Sequence, residues 1–175
     1  MTPLAIRPPT LADAPALLAF ELENRAYFEH WIHPRDPGYY SEAGVCDAID
    51  QADAARRDDQ GYQFLAVEGE RIVGRVNLSH VQRARFDCAD LGYRVGERDA
   101  GRGVAGRAVT LCLREAFGPL GFWRIQATAR PENRASTRVL ERSGFAAFGH
   151  SRRSVQLHGQ WFDLLHFERH RDPQA

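Results

Sequence analysis

Between an apolar run ending at Val95 and a helical pattern opening at Val104 lies the segment Arg98-Asp99-Ala100-Gly101-Arg102-Gly103-Val104-Ala105-Gly106. Glycines at this spacing let backbone N–H groups approach an anion closely. The helix N-terminus behind them carries about half a positive charge. Arg98 and Arg102 place two guanidinium groups in the same turn. A pyrophosphate suits such a turn; the alternative is a glycine-rich connection that binds nothing. Gly101, Gly103 and Gly106 also spell G-x-G-x-x-G, the dinucleotide pattern. That pattern needs a strand running straight into the first glycine and an acidic residue after the next strand. Here residues 96–100 intervene, and the next strand is followed by Arg130-Pro131. The expected ligand is therefore a pyrophosphate-bearing cofactor of another kind.

Other reactive side chains lack the spacing their chemistry demands. His166 and His170 on a strand lie about 13 Å apart, too far to share one metal ion, and no metal site is expected. No G-x-S-x-G elbow is present to support a serine hydrolase. Cys88 and Cys112 fall on apolar faces and read as core residues, while Cys46 leaves an odd count that cannot all pair.

The elements that hold the turn follow from periodicity. Leu4 to Arg7 reads as an edge strand stopped by Pro8-Pro9, and Thr10 with Asp13 as a capping pair. Leu17, Leu18, Leu22 and Ala26 recur at helical spacing through about Glu29. A second helix spans about Glu42 to Arg57, with Val45, Ile49 and Ala52 on one face. Tyr62 to Val67 and Ile72 to His80 form a hairpin about Glu68-Gly69-Glu70, and Cys88 to Val95 is the next strand. A helix from about Val104 to Phe117 buries Val104, Ala108, Leu111 and Cys112. Trp123 to Ala129 is a strand, a helix runs to about Arg142, and two long strands flank His158-Gly159-Gln160. This order predicts one α/β domain over residues 1–175, built on a mixed sheet.

Twenty-three basic residues balance 23 acidic ones, so no net field recruits nucleic acid or an anionic membrane. Every basic residue is Arg, which fits either bidentate anion recognition or a GC-rich codon preference. No signal-like or membrane-length apolar run occurs. A cytoplasmic setting is expected.

The order Arg-x-x-Gly-x-Gly at Arg98 to Gly103 resembles the Gcn5-related N-acetyltransferase (GNAT) superfamily. A second block follows, Asn133-Arg134-Ala135-Ser136 and then Val139-Leu140-Glu141-Arg142-Ser143-Gly144-Phe145, similar to the Rim branch of ribosomal-protein-alanine N-acetyltransferases. Further likeness runs through Glu23-Asn24-Arg25, Trp31, Pro34, Val73-Gly74, Asn77-Leu78-Ser79, Leu91-Gly92-Tyr93, Gly159-Gln160-Trp161 and Asp163, from about Ile6 to about Arg169. The resemblance implies a central, mostly antiparallel sheet with a V-shaped splay, flanked by helices. It implies acetyl-CoA as cofactor and a primary amine as acceptor, either a peptide N-terminus or a small molecule. The protein is expected to act as a monomer or homodimer.

In such a fold Tyr93, Val95, Arg98, Gly101, Arg102, Gly103, Val104, Ala105, Gly106, Asn133 and Ser136 would bind the cofactor. Amides near Tyr93 and Arg94 would donate to the oxyanion. Asp90 is the first candidate base, with Glu23 and Glu21 next; a structural role for Asp90 stays open. The position where many members carry a tyrosine acid is Leu140, so Ser136 is the expected ligand of the leaving sulfur, unless it is only a first-turn serine. Trp31, His33, Tyr39, Tyr40 and His80 are candidates for the acceptor pocket. Loss of the tyrosine also leaves open a non-catalytic CoA sensor.

Overall fold

The computed structural model describes residues 3–172. Its centre is a seven-stranded sheet in the order β1-β2-β3-β4-β5-β7-β6. The strands are β1 (Leu4–Arg7), β2 (Tyr62–Glu68), β3 (Arg71–Gln82), β4 (Cys88–Val95), β5 (Arg124–Ala129), β6 (Ala146–Leu157) and β7 (Gln160–His170). All neighbours pair antiparallel except β4 and β5, which run parallel. The helices are α1 (Ala14–Glu23), α2 (Arg25–Glu29), α3 (Glu42–Arg57), α4 (Val104–Phe117) and α5 (Arg134–Arg142).

Alternation along the strands divides the core between two faces. Val76, Leu78, Leu91 and Ile125 pack with Val109, Cys112 and Leu113 of α4 and Leu140 of α5. On the other face Leu65, Val67 and Ile72 meet Leu17 and Phe20 of α1, Phe28 of α2, and Val45 and Ile49 of α3. The α3 stripe read from the sequence is the buried one. In α4, Val104, Ala108 and Cys112 are buried as the periodicity predicts, while Leu111 is only half-buried and Val109 and Leu113 face the core.

The first helix departs from expectation in two ways. It is not continuous to Glu29: Asn24, in a non-helical conformation, separates α1 from α2. The buried Asn24 amide donates to the Phe20 carbonyl at 2.8 Å, and its side-chain oxygen accepts from the Glu97 N–H at 2.8 Å. The Phe20 carbonyl thus accepts from both the backbone and the side chain of Asn24, and the bond to Glu97 holds this residue at the break. The buried face of α1 is also only partly the leucine stripe: Leu17 is buried and Leu18 packs against the same core. Leu22 is exposed, and the inward positions are Leu17, Phe20 and Glu21, the last a charged residue only 1% exposed. Upstream, the Thr10 N–H donates to Asp13 at 2.8 Å. Arg7 holds the same carboxylate, lowering its pKa well below the usual carboxylate range.

Strand β3 runs past His80 to Gln82, with an irregularity in its pairing to β4 between Ser79 and Gln82. His80 sits within it at φ 50°, a left-handed conformation rare for a side-chain-bearing residue.

Candidate active site

Parallel strands β4 and β5 pair over three residues only, Cys88–Asp90 with Arg124–Gln126. From Leu91 and Ala127 onward the two part, opening a V whose apex lies at Asp90 and Gln126. The Gly96 N–H donates to the Val73 carbonyl across the β3–β4 pair at 3.0 Å. Backbone groups alternate in direction, so Arg94 and Gly92 also turn their amides toward β3, whereas Tyr93 and Val95 turn theirs into the V. This corrects one expectation: Tyr93 faces its N–H into the gap, and the Arg94 amide is committed to the β3 side.

At the open end of the V the chain turns through Gly96 and a short 3-10 segment, Glu97–Asp99, into the glycine loop. Gly101 and Gly103 adopt φ of 73° and 75°, and a Cβ at either, or at Gly106, would meet nothing within 4 Å. Positive φ demands glycine at the first two positions, while the empty space in front of all three leaves the backbone bare. Helix α4 begins at Val104 with no side chain capping it, so the first-turn amides of Val104, Ala105 and Gly106 remain available. These features fit a diphosphate.

Buried Asp99 anchors the loop. It pairs with Arg71 at 2.6 Å and also binds Arg102, and both arginines hold its carboxyl below the usual range. Arg102 is thus partly neutralised within the protein. Arg98 reaches Glu23 at 3.0 Å and is otherwise exposed. Glu23 lies in the wall of a cavity of about 290 Å³ between α1 and this loop, with Ala19, Arg71, Gly96 and Arg98. Its near partner is therefore a loop arginine and not Asp90 or Ser136. Arg71, which pattern reading did not single out, joins the loop only through the fold.

On the α4–α5 face, the Asn133 side chain caps α5 by accepting from the Ser136 N–H at 3.1 Å. The Tyr93 hydroxyl lies 2.8 Å from Ser136 Oγ and donates to the Ser136 carbonyl at 3.1 Å. Burial pushes the Tyr93 pKa up to about 12, so it stays protonated. Tyr93 and Ser136, 43 residues apart, form one hydroxyl pair beside the V. Leu140 is fully buried in the core.

The opposite face carries the charged residues. Asp90 accepts from His80 Nδ1 at 3.0 Å at the apex, with both side chains solvent-accessible. Further along, Glu21 accepts from Arg75 at 2.7 Å and Arg94 at 2.6 Å. Arg75 also binds the Tyr39 hydroxyl and Gln63, and Arg35 stacks 4.2 Å above the Tyr39 ring. Glu21 is thereby enclosed by guanidinium groups. Tyr40 is engaged by Glu29 and lies beneath Arg25. Trp31 lies near Arg130, which stacks on Phe162 at 3.6 Å. His33 is exposed in the loop after α2. His158 of the β6–β7 turn contacts the Glu29 carbonyl at 2.8 Å, linking that hairpin to α2.

A bare-backbone anion loop at the mouth of a splayed sheet defines an acyl-CoA-dependent acyltransferase. Residues 4–146 match the acetyltransferase (GNAT) domain family, and the chain belongs to it. It is 32% identical over 160 residues to the probable N-acetyltransferase YjcK of Bacillus subtilis, covering 90% of this chain and 88% of that one. It is 28% identical to the [ribosomal protein uS5]-alanine N-acetyltransferase of Escherichia coli, covering 86% and 79%. The structure of Mycobacterium smegmatis RimJ, solved with a CoA disulfide, superposes with a TM-score of 0.89 at 26% identity, covering 95% and 81%. The protein is thus an N-acetyltransferase that uses acetyl-CoA. Among the described residues no helix is long and apolar enough to cross a membrane, and no side-chain group is arranged to hold a metal.

Proposed function

We propose that the acceptor is the α-amine of a peptide N-terminus and that acetyl transfer is direct, in a ternary complex. The observation that carries this reading is the Asp90–His80 pair at the apex of the V, with both side chains open to solvent. The likeness to an alanine N-acetyltransferase, over 86% of this chain and 79% of that one, supports the choice of a peptide.

When bound, acetyl-CoA supplies an activated acetyl thioester; the residues around it hold, orient and move protons. Amides of residues 101–106 would bind the diphosphate, with Arg102 and Arg71 adding charge at the loop. The Tyr93 N–H, directed into the V, would donate to the oxygen on which charge develops. A free α-amine has a pKa near 8, so about a tenth is neutral at pH 7 and a modest base suffices. Asp90, accepting from His80 Nδ1–H, leaves Nε2 as the ring's lone-pair nitrogen. His80 would take the amine proton there, with Asp90 fixing the tautomer. With the Tyr93 proton turned from the Ser136 carbonyl to Ser136 Oγ, the serine hydroxyl would be free to donate to the leaving sulfur, a task that Leu140 cannot perform. Arg98, Glu23, Trp31 and His33 frame the two entrances in this reading.

The test is a panel of acetyl-CoA with peptides beginning Ala or Ser, free amino acids, polyamines and aminoglycosides, read by thiol release and mass spectrometry. The expected result is a single acetyl on the peptide α-amine. Turnover confined to the small amines would overturn the peptide assignment.

A further inference from the structure

Beneath α1, on the face of the sheet that carries Asp90, lies an imbalance of charge that the acetyl-transfer chemistry does not use. Glu21, 1% exposed, is the one carboxylate among three guanidinium groups: Arg75 at 2.7 Å, Arg94 at 2.6 Å and Arg35 at 3.9 Å. The other partners of the cluster, Tyr39 and Gln63, are neutral. Nearby Glu29 is matched by Arg25 at 2.8 Å, and Asp36 accepts from the Gly38 amide. Among the ion pairs of the described residues, three guanidinium groups therefore meet the single carboxylate of Glu21. The glycine loop differs, because there three carboxylates, Asp99, Glu68 and Glu23, stand against four guanidinium groups, Arg71, Arg102, Arg98 and Arg107.

Uncompensated buried charge is costly unless a ligand completes it. Arg75 is satisfied on both terminal nitrogens. Arg94 and Arg35 are not saturated: the buried Nε of each lacks a hydrogen-bond partner. Burial and the two neighbouring cations lower the Arg94 pKa to about 10, which leaves it charged at neutral pH and poorly compensated. Arg94 and Asp90 have the same parity on β4, four residues apart, or about 13 Å along the strand. A ligand group beside Arg94 therefore lies on the order of 13 Å from an amine at the apex.

We infer that the acceptor carries a carboxylate about three residues from its reacting amine, and that Arg94 and Arg35 bind it. This rests on the peptide reading above. In an extended chain each residue spans about 3.3–3.6 Å, so an acidic side chain at position three, or the terminal carboxylate of a tripeptide, reaches the cluster. The chemistry is the same for both sources.

The experiment compares Ala-Ala-Glu-Ala amide with its Gln and Lys counterparts, and the Ala-Ala-Ala free acid with its amide. Glu over Gln should raise kcat/KM by at least about 10-fold, mainly through KM, with Lys poorer than Gln. A preference within the tetrapeptides assigns the side chain, and one confined to the free acid assigns the terminus. Arg35→Gln, at a half-exposed position, should collapse the Glu-to-Gln ratio, and Arg94→Gln should do the same if it folds. Where no peptide turns over, the peptide reading fails separately; thermal shift with CoA and each acid–amide pair, including free amino acids and their amides, still reads the preference. Equal behaviour of acid and amide in every pair, or an Arg35→Gln ratio like wild type, would overturn the inference.

Discussion

The two faces of the V are built on different principles. On the cofactor side, binding is encoded in backbone: two positive-φ glycines, an uncapped helix end and strand amides left without a neighbour. On the acceptor side it is encoded in side chains drawn from far apart, with Glu21 meeting Arg75 and Arg94 across 54 and 73 residues. Backbone sites tolerate almost any side chain except at the glycines. A side-chain site can be retuned residue by residue. The contrast accounts for a family that keeps one cofactor while its members act on different amines.

The sharpest way to break the contrast is Glu21→Gln. Removing the one carboxylate from the buried Arg75 and Arg94 and the half-exposed Arg35 should cost about 3–5 kcal/mol of stability, read by chemical denaturation. A loss under about 1 kcal/mol would mean the cluster is well hydrated. Next is His80→Gln, expected to lower kcat about 100-fold at neutral pH with little change in acetyl-CoA KM; an unchanged kcat would leave proton removal to water. Gly103→Val should act on the other face. Forcing a β-branched residue to φ 75° strains the loop by about 1–2 kcal/mol, so acetyl-CoA KM should rise about 10-fold while the acceptor preference persists. A shifted acceptor preference with normal acetyl-CoA KM would erase the division between faces.

The smallest effect lies outside both. The Asp13 carboxyl is lowered by Arg7, so the stability it contributes is present above the unfolded value of about 4 and is lost as pH falls below it. Asp13→Asn should cost about 1 kcal/mol at pH 7 and flatten that acid limb. A denaturation series from pH 7 to pH 2 on both proteins checks this.

The same division governed what was legible in the sequence. The glycine loop, α3 and α4 follow rules that act over a few residues, and their positions could be read directly. The break at Asn24 could not, because it depends on a hydrogen bond to Glu97 that only the folded chain supplies. The inward face of α1 was read only in part: Leu17 and Leu18 follow the stripe, but the burial of charged Glu21 in place of Leu22 does not, because periodicity assigns charged positions to solvent. His80 was placed at a strand end, but its pairing with Asp90 requires the irregularity in β3. Arg71 and Arg35 carry no local signal at all, since their partners are remote in sequence. Tyr93 and Ser136 each stood out, yet their hydroxyl contact follows only from how α5 packs against α4 and β5.

The most direct measurement is a titration of ¹⁵N-labelled protein with CoA, following backbone amides. The largest shifts should fall on Gly101 through Gly106 together with Tyr93 and Val95, while Gly92 and Arg94, bonded into β3, move little. Saturable CoA binding that leaves the 101–106 amides in place would contradict the assignment of this loop and gap to the cofactor.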